Sequence, residues 1–362
     1  MKLNKLILYI VCVAGFLLNI SAQERLNIQR AFIAENVRVS KIWFLDDMMG
    51  WSRVSTAVGE AYKIYRTDDG GKNWKTIHPL INDIDVISVW FATKSKGWAV
   101  CLHKIETPDD TARIPMIIST ENGGDSWEIN TIINEYKDGL ESSLITIYFH
   151  DELHGWAAGS SGVDGSDIFV FATENGGKTW SRQHLNKRFK SGYLGIEDIS
   201  FSDLNNGWAV GVGFALEPED RGILHTNDGG KSWNIQETSR SGFHQIAVID
   251  SNNVWAVGGK ILKTTDGGKN WIPIVPQGYD KEYWHSIKFI DAKRGWIGSS
   301  NDVLLYTENG GQTWENQFPA TGVSRGGISS IAVAGSRIFL SGTEKIPLGK
   351  GIVMPSDAPD FF

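Results

Sequence analysis

An eight-residue motif recurs six times in this chain, and it constrains the fold more than any other feature. The motif reads Thr-x-Asp-Gly-Gly-x-x-Trp, with Asn in place of Asp in half of the copies. The copies begin at Thr67, Thr120, Thr173, Thr226, Thr264 and Thr307. Short strand-like segments flank each copy. A repeat of about 40–50 residues built in this way is typical of a β-propeller, in which each repeat forms one four-stranded blade.

The residue types of the motif suit a tight turn between antiparallel strands. The acid or amide can accept backbone N–H groups, and the paired glycines supply left-handed dihedral angles. A second series of tryptophans lies half a repeat away, usually after glycine: Trp51, Trp98, Trp156, Trp208, Trp255 and Trp296. Such regular spacing predicts that these tryptophans pack between neighbouring blades and do not form a ligand platform. Six-fold repetition likewise makes the turn acids structural, since a catalytic site converges at one place.

A seventh repeat is present but incomplete. Segments 331–335, 337–342 and 351–354 resemble the first three strands of a unit, and the chain then ends without a Trp strand. The segment Leu26-Asn-Ile-Gln29 resembles Trp233-Asn-Ile-Gln236, a fourth strand. We therefore predict an all-β fold, a seven-bladed propeller of four-stranded antiparallel blades, six with the motif. The N-terminal strand is expected to close the ring, which leaves no open sheet edge between the first and last blades.

The first 22 residues have the pattern of a secretory signal peptide. Lys2 and Lys5 precede an apolar run from Leu6 to Leu18, and Ser21-Ala22 offers a cleavage site before Gln23. The run is too short for a membrane span. We predict a signal peptide at 1–22, a single propeller domain at 23–362, and an exported protein, periplasmic or extracellular, with no membrane insertion.

Charge and cysteine content limit the possible partners. The whole chain has a net charge of −7, and loss of the two lysines of the leader makes it more acidic still. An acidic protein is poorly suited to nucleic acid, whose phosphates attract basic surfaces. Only Cys101 remains after cleavage, so no disulfide can form within the chain. Its apolar surroundings, Gly97-Trp-Ala-Val-Cys-Leu102, predict a buried, unreactive thiol.

The repeated motif resembles the Asp-box, also called the bacterial neuraminidase repeat. The whole unit, with Gly-Trp-Ala-Val-Gly upstream as at 207–211, resembles propellers similar to the photosystem II stability and assembly factors. The resemblance covers residues 24–354. It implies an exported, non-catalytic propeller that holds a partner protein during assembly. We also predict a monomer without a cofactor. Asp-boxes also occur in sialidases and other glycosidases, so a glycan-active enzyme or a glycan-binding propeller is the alternative.

One residue bears on the sialidase alternative. Ala112-Arg-Ile-Pro115 resembles the motif whose arginine holds the substrate carboxylate in sialidases, which would make Arg113 a substrate ligand. In that family the motif lies well upstream of the first Asp-box, whereas here it precedes the second. No paired tyrosine and glutamate nucleophile is evident, because Glu282 and Tyr283 are adjacent and point apart on an extended strand. We expect Arg113 to be a loop residue in an ion pair.

Alignment of the first strands places one residue of each repeat at the mouth of the propeller: Ser40, Ile87, Ile145, Glu197, His244, His285 and Ser329. Three consecutive repeats thus bring Glu197, His244 and His285 to one side of the opening. This trio could bind a metal ion or exchange protons; the favoured interpretation is a polar mouth that contacts a partner, with no metal.

The loops that enter these strands carry arginine and aromatic residues, the types that anchor protein interfaces. Those selected are Arg188, Tyr193, Arg240, Tyr283 and Arg325. Such a mouth would suit an acidic peptide or a glycan. The sequence therefore favours a scaffold that binds an envelope or secreted protein.

Overall fold

The computed structural model describes 14 segments of the chain, and every structural statement below concerns these residues. The described segments are 7–11, 27–30, 38–55, 61–77, 84–106, 111–132, 142–161, 167–185, 194–213, 222–238, 242–301, 303–317, 327–334 and 337–342. No helix among them is long and apolar enough to cross a membrane.

The strands of the first half form three antiparallel blades after two N-terminal strands. The N-terminal strands are β1 (Ile7–Val11) and β2 (Asn27–Arg30). Blade 1 contains β3 (Arg38–Phe44), β4 (Gly50–Ser55), β5 (Lys63–Thr67) and β6 (Lys75–Thr76). Blade 2 contains β7 (Ile84–Phe91), β8 (Gly97–Glu106), β9 (Thr111–Thr120) and β10 (Glu128–Ile132). Blade 3 contains β11 (Ser142–Phe149), β12 (Gly155–Ser161), β13 (Asp167–Thr173) and β14 (Ser181–Arg182).

Three further blades and a last sheet follow. Strand β15 (His184–Leu185) leaves blade 3 and pairs in parallel with the outer strand of blade 4. Blade 4 itself contains β16 (Leu194–Phe201), β17 (Gly207–Gly213), β18 (Gly222–Thr226) and β19 (Ser232–Thr238). Blade 5 contains β20 (Phe243–Val248), β21 (Val254–Gly258), β22 (Ile261–Thr264) and β23 (Ile272–Ile274). Blade 6 contains β24 (Trp284–Phe289), β25 (Gly295–Ser299), β26 (Leu304–Thr307) and β27 (Glu315–Asn316), and the last sheet contributes β28 (Ile328–Ala334) and β29 (Arg337–Gly342).

The prediction of seven antiparallel blades was wrong in its count, because six sheets have that form. The last sheet is mixed: β28 and β29 are antiparallel, but β1 adds to β29 in parallel and β2 adds to β1 in parallel. The physical reason is an open edge on β29, which the β-prone sequence Ile-Leu-Tyr-Ile-Val of β1 fills. The third strand expected at 351–354 lies outside the described residues. Closure by an antiparallel N-terminal strand therefore stays a prediction.

The second tryptophan series packs between adjacent blades, as predicted. Its six members are at most 3% exposed. Trp98 of blade 2 stacks on Phe149 of blade 3, with ring centroids 3.5 Å apart, and Trp156 stacks on Phe201 in the same way. Each interface thus buries large aromatic surfaces, which is the main source of stability in such a core.

The first blade and the last sheet also pack against each other. Phe44 stacks on Phe339 with ring centroids 3.6 Å apart. The backbone N–H of Ile42 donates to the Ser330 hydroxyl at 3.3 Å, and Arg337 donates to the Asp47 carbonyl at 2.9 Å. The two ends of the described fold therefore meet around the axis.

All six Gly-Gly turns have the same hydrogen bonds. In each, the Thr hydroxyl accepts from the N–H of the second glycine at 2.8–2.9 Å and donates to the Asp or Asn side chain at 2.8–3.0 Å. Both glycines of every turn have φ between +67° and +97°, where other residues are strained. The predicted roles of the turn residues are confirmed.

Five of the six turns, those of blades 2 to 6, also receive a hydrogen bond from the preceding blade. Trp98 donates to the carbonyl of Gly176, and Trp156 donates to that of Gly229, both at 2.9 Å. The equivalent donors at the other interfaces are Arg66 to Gly123, Gln236 to Gly267 and Lys263 to Gly310. The Gly-Gly turns therefore fix the blades to one another as well as closing each blade.

Cys101 lies in the core of blade 2 and is fully buried. Burial raises the pKa of its thiol far above the usual value. The prediction of a buried cysteine is confirmed, and its low reactivity stays a prediction.

Candidate functional site

The first strand of every sheet contains a β-bulge at the same place. In each, the pairing with the second strand skips one residue. The skipped residues are Ser40, Ile87, Ile145, Glu197, His244, His285 and Ser329. These are the seven positions that the sequence alignment selected. A bulge turns a side chain away from the regular alternation of the strand, which is why bulges often occur beside functional sites.

The seven bulged residues surround one cavity on the propeller axis. The cavity has a volume of about 300 Å³, and all seven residues line it. The residue after each bulge reaches it in six of the seven sheets: Lys41, Ser88, Thr146, Asp198, Gln245 and Ser330. The structure thus places the predicted mouth residues together, although their role in binding stays a prediction.

The wall formed by blades 4 to 6 carries the predicted trio. The rings of His244 and His285 lie 4.8 Å apart between centroids. The Tyr283 hydroxyl lies 3.1 Å from Nε2 of His244, within hydrogen-bonding distance. Tyr283 belongs to the segment that enters blade 6, so one entry loop and two first strands build this cluster. Glu197 lies on the neighbouring first strand of blade 4.

Burial sets the protonation of this wall. It lowers the pKa of His244 to about 4, with His285 adding a smaller repulsion. Burial likewise lowers the pKa of His285. Burial raises the pKa of Glu197, and the adjacent Asp198 raises it further. At neutral pH both imidazoles are therefore uncharged and can accept hydrogen bonds.

The opposite side of the cavity carries cationic groups that the alignment did not select. Lys41 follows the bulge of blade 1, and Arg53 reaches the cavity from the second strand. The Arg53 guanidinium donates to the carbonyl of Val86 and to the hydroxyl of Ser40, and it lies 3.5 Å from the centroid of the Tyr62 ring. Arg53 therefore ties blade 1 to blade 2 while lining the cavity.

The residues after the bulges connect neighbouring blades. Asp198 accepts the N–H of Ile246 at 3.1 Å, and Gln245 accepts the N–H of Ile287 at 2.8 Å. Ser286 donates to the carbonyl of Ile328 at 2.8 Å. Sequence reasoning missed this second ring. Its signal is a polar residue directly before the inward apolar residue of every first strand, as in Asp198-Ile199 and Gln245-Ile246.

The remaining predicted residues contribute less to the described site. Arg188, Tyr193, Arg240 and Arg325 lie outside the described residues. Arg113 is a residue of β9, and its backbone lies opposite that of Lys104 in β8. We expected a loop residue, but Arg113 belongs to a strand. Within the described part of the chain, no group of three His, Cys, Asp or Glu side chains could hold a metal ion.

Two carboxylates line the described cavity, those of Glu197 and Asp198. Retaining and inverting glycosidases place two carboxyl groups on either side of the scissile bond. Glu197 and Asp198 are consecutive residues of one strand, and Asp198 is held by the backbone of blade 5. The glycosidase alternative therefore stays a prediction.

Antiparallel four-stranded blades around an axial cavity define this chain as a β-propeller. No protein-family model matches it. It is 24% identical, over 294 residues, to the photosystem II assembly lipoprotein Ycf48 of Synechococcus sp. (strain CC9902), covering 67% of this chain and 78% of that protein.

Two of the solved structures that share the fold have different activities. The structure of YCF48 bound to D1 peptide superimposes with a TM-score of 0.62 at 19% identity, covering 85% of this chain and 91% of that one. A GH74 xyloglucanase from Xanthomonas campestris gives a TM-score of 0.59 at 13% identity, covering 84% of this chain and 50% of the enzyme. An assembly factor and a glycosidase thus both resemble this propeller, so the fold alone does not decide the function.

Proposed function

We propose that this protein is an exported, non-catalytic propeller that binds a partner protein at the mouth of its axial cavity. The proposed role is the assembly or maintenance of an envelope complex. The observation that carries the proposal is the set of bulges: every sheet turns one side chain into the same cavity, and these side chains differ from blade to blade. A similar assembly lipoprotein supports it through sequence similarity, and the solved YCF48 structure holds a D1 peptide.

Affinity capture from an envelope extract of the source organism tests this function. The bait is the wild-type protein beside a variant with Glu197, His244, His285 and Arg240 replaced by Ala. The matched control replaces Glu174, Lys178, Lys269 and Glu308, four exposed residues of the Gly-Gly turns at the other end of the blades. We expect a protein that the wild type and the control retain and the mouth variant loses. Retention of no protein, or equal retention by all three, would contradict the proposal.

Export and ring closure form a second part of the proposal. Cleavage before Gln23 would remove β1, and the edge of β29 would then be open to residues 351–354, with residues 26–29 as the outer strand. The N-terminal residue of the mature protein, read by mass spectrometry, tests the cleavage. Deletion of residues 23–34 from the mature chain is expected to lower its unfolding midpoint sharply; an unchanged midpoint would exclude closure by this segment. Light scattering of the same sample tests the expected monomer.

A further inference from the structure

Glu197 is the one bulge residue that brings a carboxylate into the axial cavity. Among the described residues no cation forms an ion pair with it, and the charged group that acts on it most is Asp198, which is also acidic. Burial raises the pKa of Asp198 as well, but Lys41, Lys288 and the N–H of Ile246 oppose that shift. Within the described part of the chain, no ion pair thus compensates the Glu197 carboxylate that faces the cavity.

The groups beside Glu197 along the ring are two histidines, and Nε2 of His244 lies within hydrogen-bonding distance of the Tyr283 hydroxyl. His244 and His285 occupy the equivalent bulges of blades 5 and 6, and both are uncharged at neutral pH because burial lowers the pKa of each. A neutral imidazole offers one nitrogen lone pair. A carboxylate and two neighbouring imidazoles therefore make this wall suited to a donor with positive charge.

The other side of Glu197 is apolar. The bulges of blades 2 and 3 carry Ile87 and Ile145, and both line the cavity. Ile145 reaches across to blade 4, since a Cβ added to Gly195 would lie 2.8 Å from its Cδ1 atom. An aliphatic chain lying on these isoleucines would have its end at the carboxylate of Glu197.

We propose that the axial cavity binds the side chain of a lysine or arginine of the partner protein. Its methylene groups would lie on Ile87 and Ile145, and its cationic head would lie at Glu197. This inference rests on the proposed function and specifies the chemistry of the partner. Long cationic side chains combine an apolar stem with a charged head. This matches the cavity, where the isoleucines of blades 2 and 3 are followed by Glu197 of blade 4. Of the cations that line the cavity, Arg53 donates to Ser40 and Val86, and Lys41 acts favourably on Asp198.

Small probes test the inference on the intact chain. We would titrate Nα-acetyl-lysine methylamide and its arginine counterpart, and follow the ring C–H signals of His244 and His285 by NMR. The controls are the norleucine compound, which keeps the stem without charge, and the glutamate compound. We expect saturable shifts with the two cationic probes only. A glutamate probe that binds as tightly as the lysine probe would overturn the inference.

Matched variants locate the binding and separate it from the proposed function. Glu197→Gln is expected to weaken the lysine probe at least tenfold, while Glu174→Gln, in an exposed Gly-Gly turn, leaves it unchanged. Equal binding to Glu197→Gln, in a sample whose unfolding midpoint shows it folded, would overturn the inference. Capture of a partner without probe binding would refute this inference and leave the proposed function standing. Probe binding without capture would support the cation site and contradict the proposed function.

Discussion

The two ends of each blade follow different rules. At one end, six Gly-Gly turns repeat the same hydrogen bonds and the same left-handed glycines. At the other end, seven bulges repeat the same backbone irregularity but carry serine, isoleucine, glutamate and histidine. The Gly-Gly turns repeat their side chains, and they hold the blades together. The bulges repeat the backbone conformation but vary their side chains, so specificity can arise there.

The largest expected effect is at the interface between blades. Trp98→Ala removes the stacking on Phe149 and leaves the carbonyl of Gly176 without its donor. We expect a loss of about 3–5 kcal/mol in the free energy of unfolding, as for other large aromatic residues removed from cores. Denaturant unfolding measures it. Trp98→Phe keeps part of the packing and should lose less; a loss below about 1 kcal/mol for the alanine variant would show that the interface is not tightly packed.

The turn glycines should show the next largest effect. Gly230 has a φ of +90°, and an added Cβ would lie 2.9 Å from Nε1 of Trp156. Gly230→Ala therefore combines backbone strain with a steric conflict at the blade interface, and we expect a loss of about 2–3 kcal/mol. Gly278 is a natural control, because its φ is +85° and an added Cβ would meet nothing within 4 Å.

Gly278→Ala should lose only about 1 kcal/mol, the strain of the left-handed conformation. Equal losses for Gly230→Ala and Gly278→Ala in the same unfolding assay would mean that the contact with Trp156 contributes nothing.

The sequence predicted the features that depend on local residue types at both ends of the blades, but not the pairings between distant strands. The motif predicted the propeller and the turn geometry because those depend on local residue types. The bulge positions were predictable because each lies two residues before an inward apolar residue, as Glu197 does before Ile199. The crossing of His184–Leu185 to blade 4 and the pairing of β1 with β29 were not predictable, since open sheet edges far apart in the chain decide them.

The site shows the same limit. Arg53 lies on a second strand, and only the packing of blade 1 against blade 2 brings its guanidinium to the cavity. Local sequence patterns do not report contacts of that kind.

A pH experiment compares turns that carry Asp with turns that carry Asn. Hydrogen bonds from the side chain and backbone of Asn270 lower the pKa of Asp266 to about 2. Burial opposes the shifts of Asp69 and Asp228, but the hydrogen bonds to them outweigh it and lower both pKa values. A carboxyl whose pKa is lower in the folded state stabilises the fold above pH 3.8, and this contribution is lost as the pH falls towards 2.

Replacing Asp69, Asp228 and Asp266 together by Asn should therefore flatten the decline in stability between these pH values. Unfolding midpoints at pH 2 to 5 measure it. The carboxylates in the turns between first and second strands still titrate in the variant, for example Asp46 with a pKa of about 2. We therefore expect a smaller decline in stability and not its disappearance. If the unfolding midpoint depended on pH as it does in the wild type, the ionised Asp side chains would stabilise their turns no more than the Asn side chains of the other three turns do.

The smallest expected effect lies at the cavity end and has the opposite sign. Because burial and Asp198 raise the pKa of Glu197, its ionised form is less favourable in the folded protein than in the unfolded chain. Glu197→Gln should thus increase the free energy of unfolding at pH 7. The difference from wild type should shrink as the pH falls through the raised pKa of Glu197 towards its unfolded value, where the wild-type side chain is also neutral. Glu174→Gln is the control and should change stability by less than about 0.5 kcal/mol. A less stable Glu197→Gln would mean that a cation pairs with this carboxylate in the free protein; a more stable one would mean that Glu197 lowers stability, as expected of a residue kept for binding.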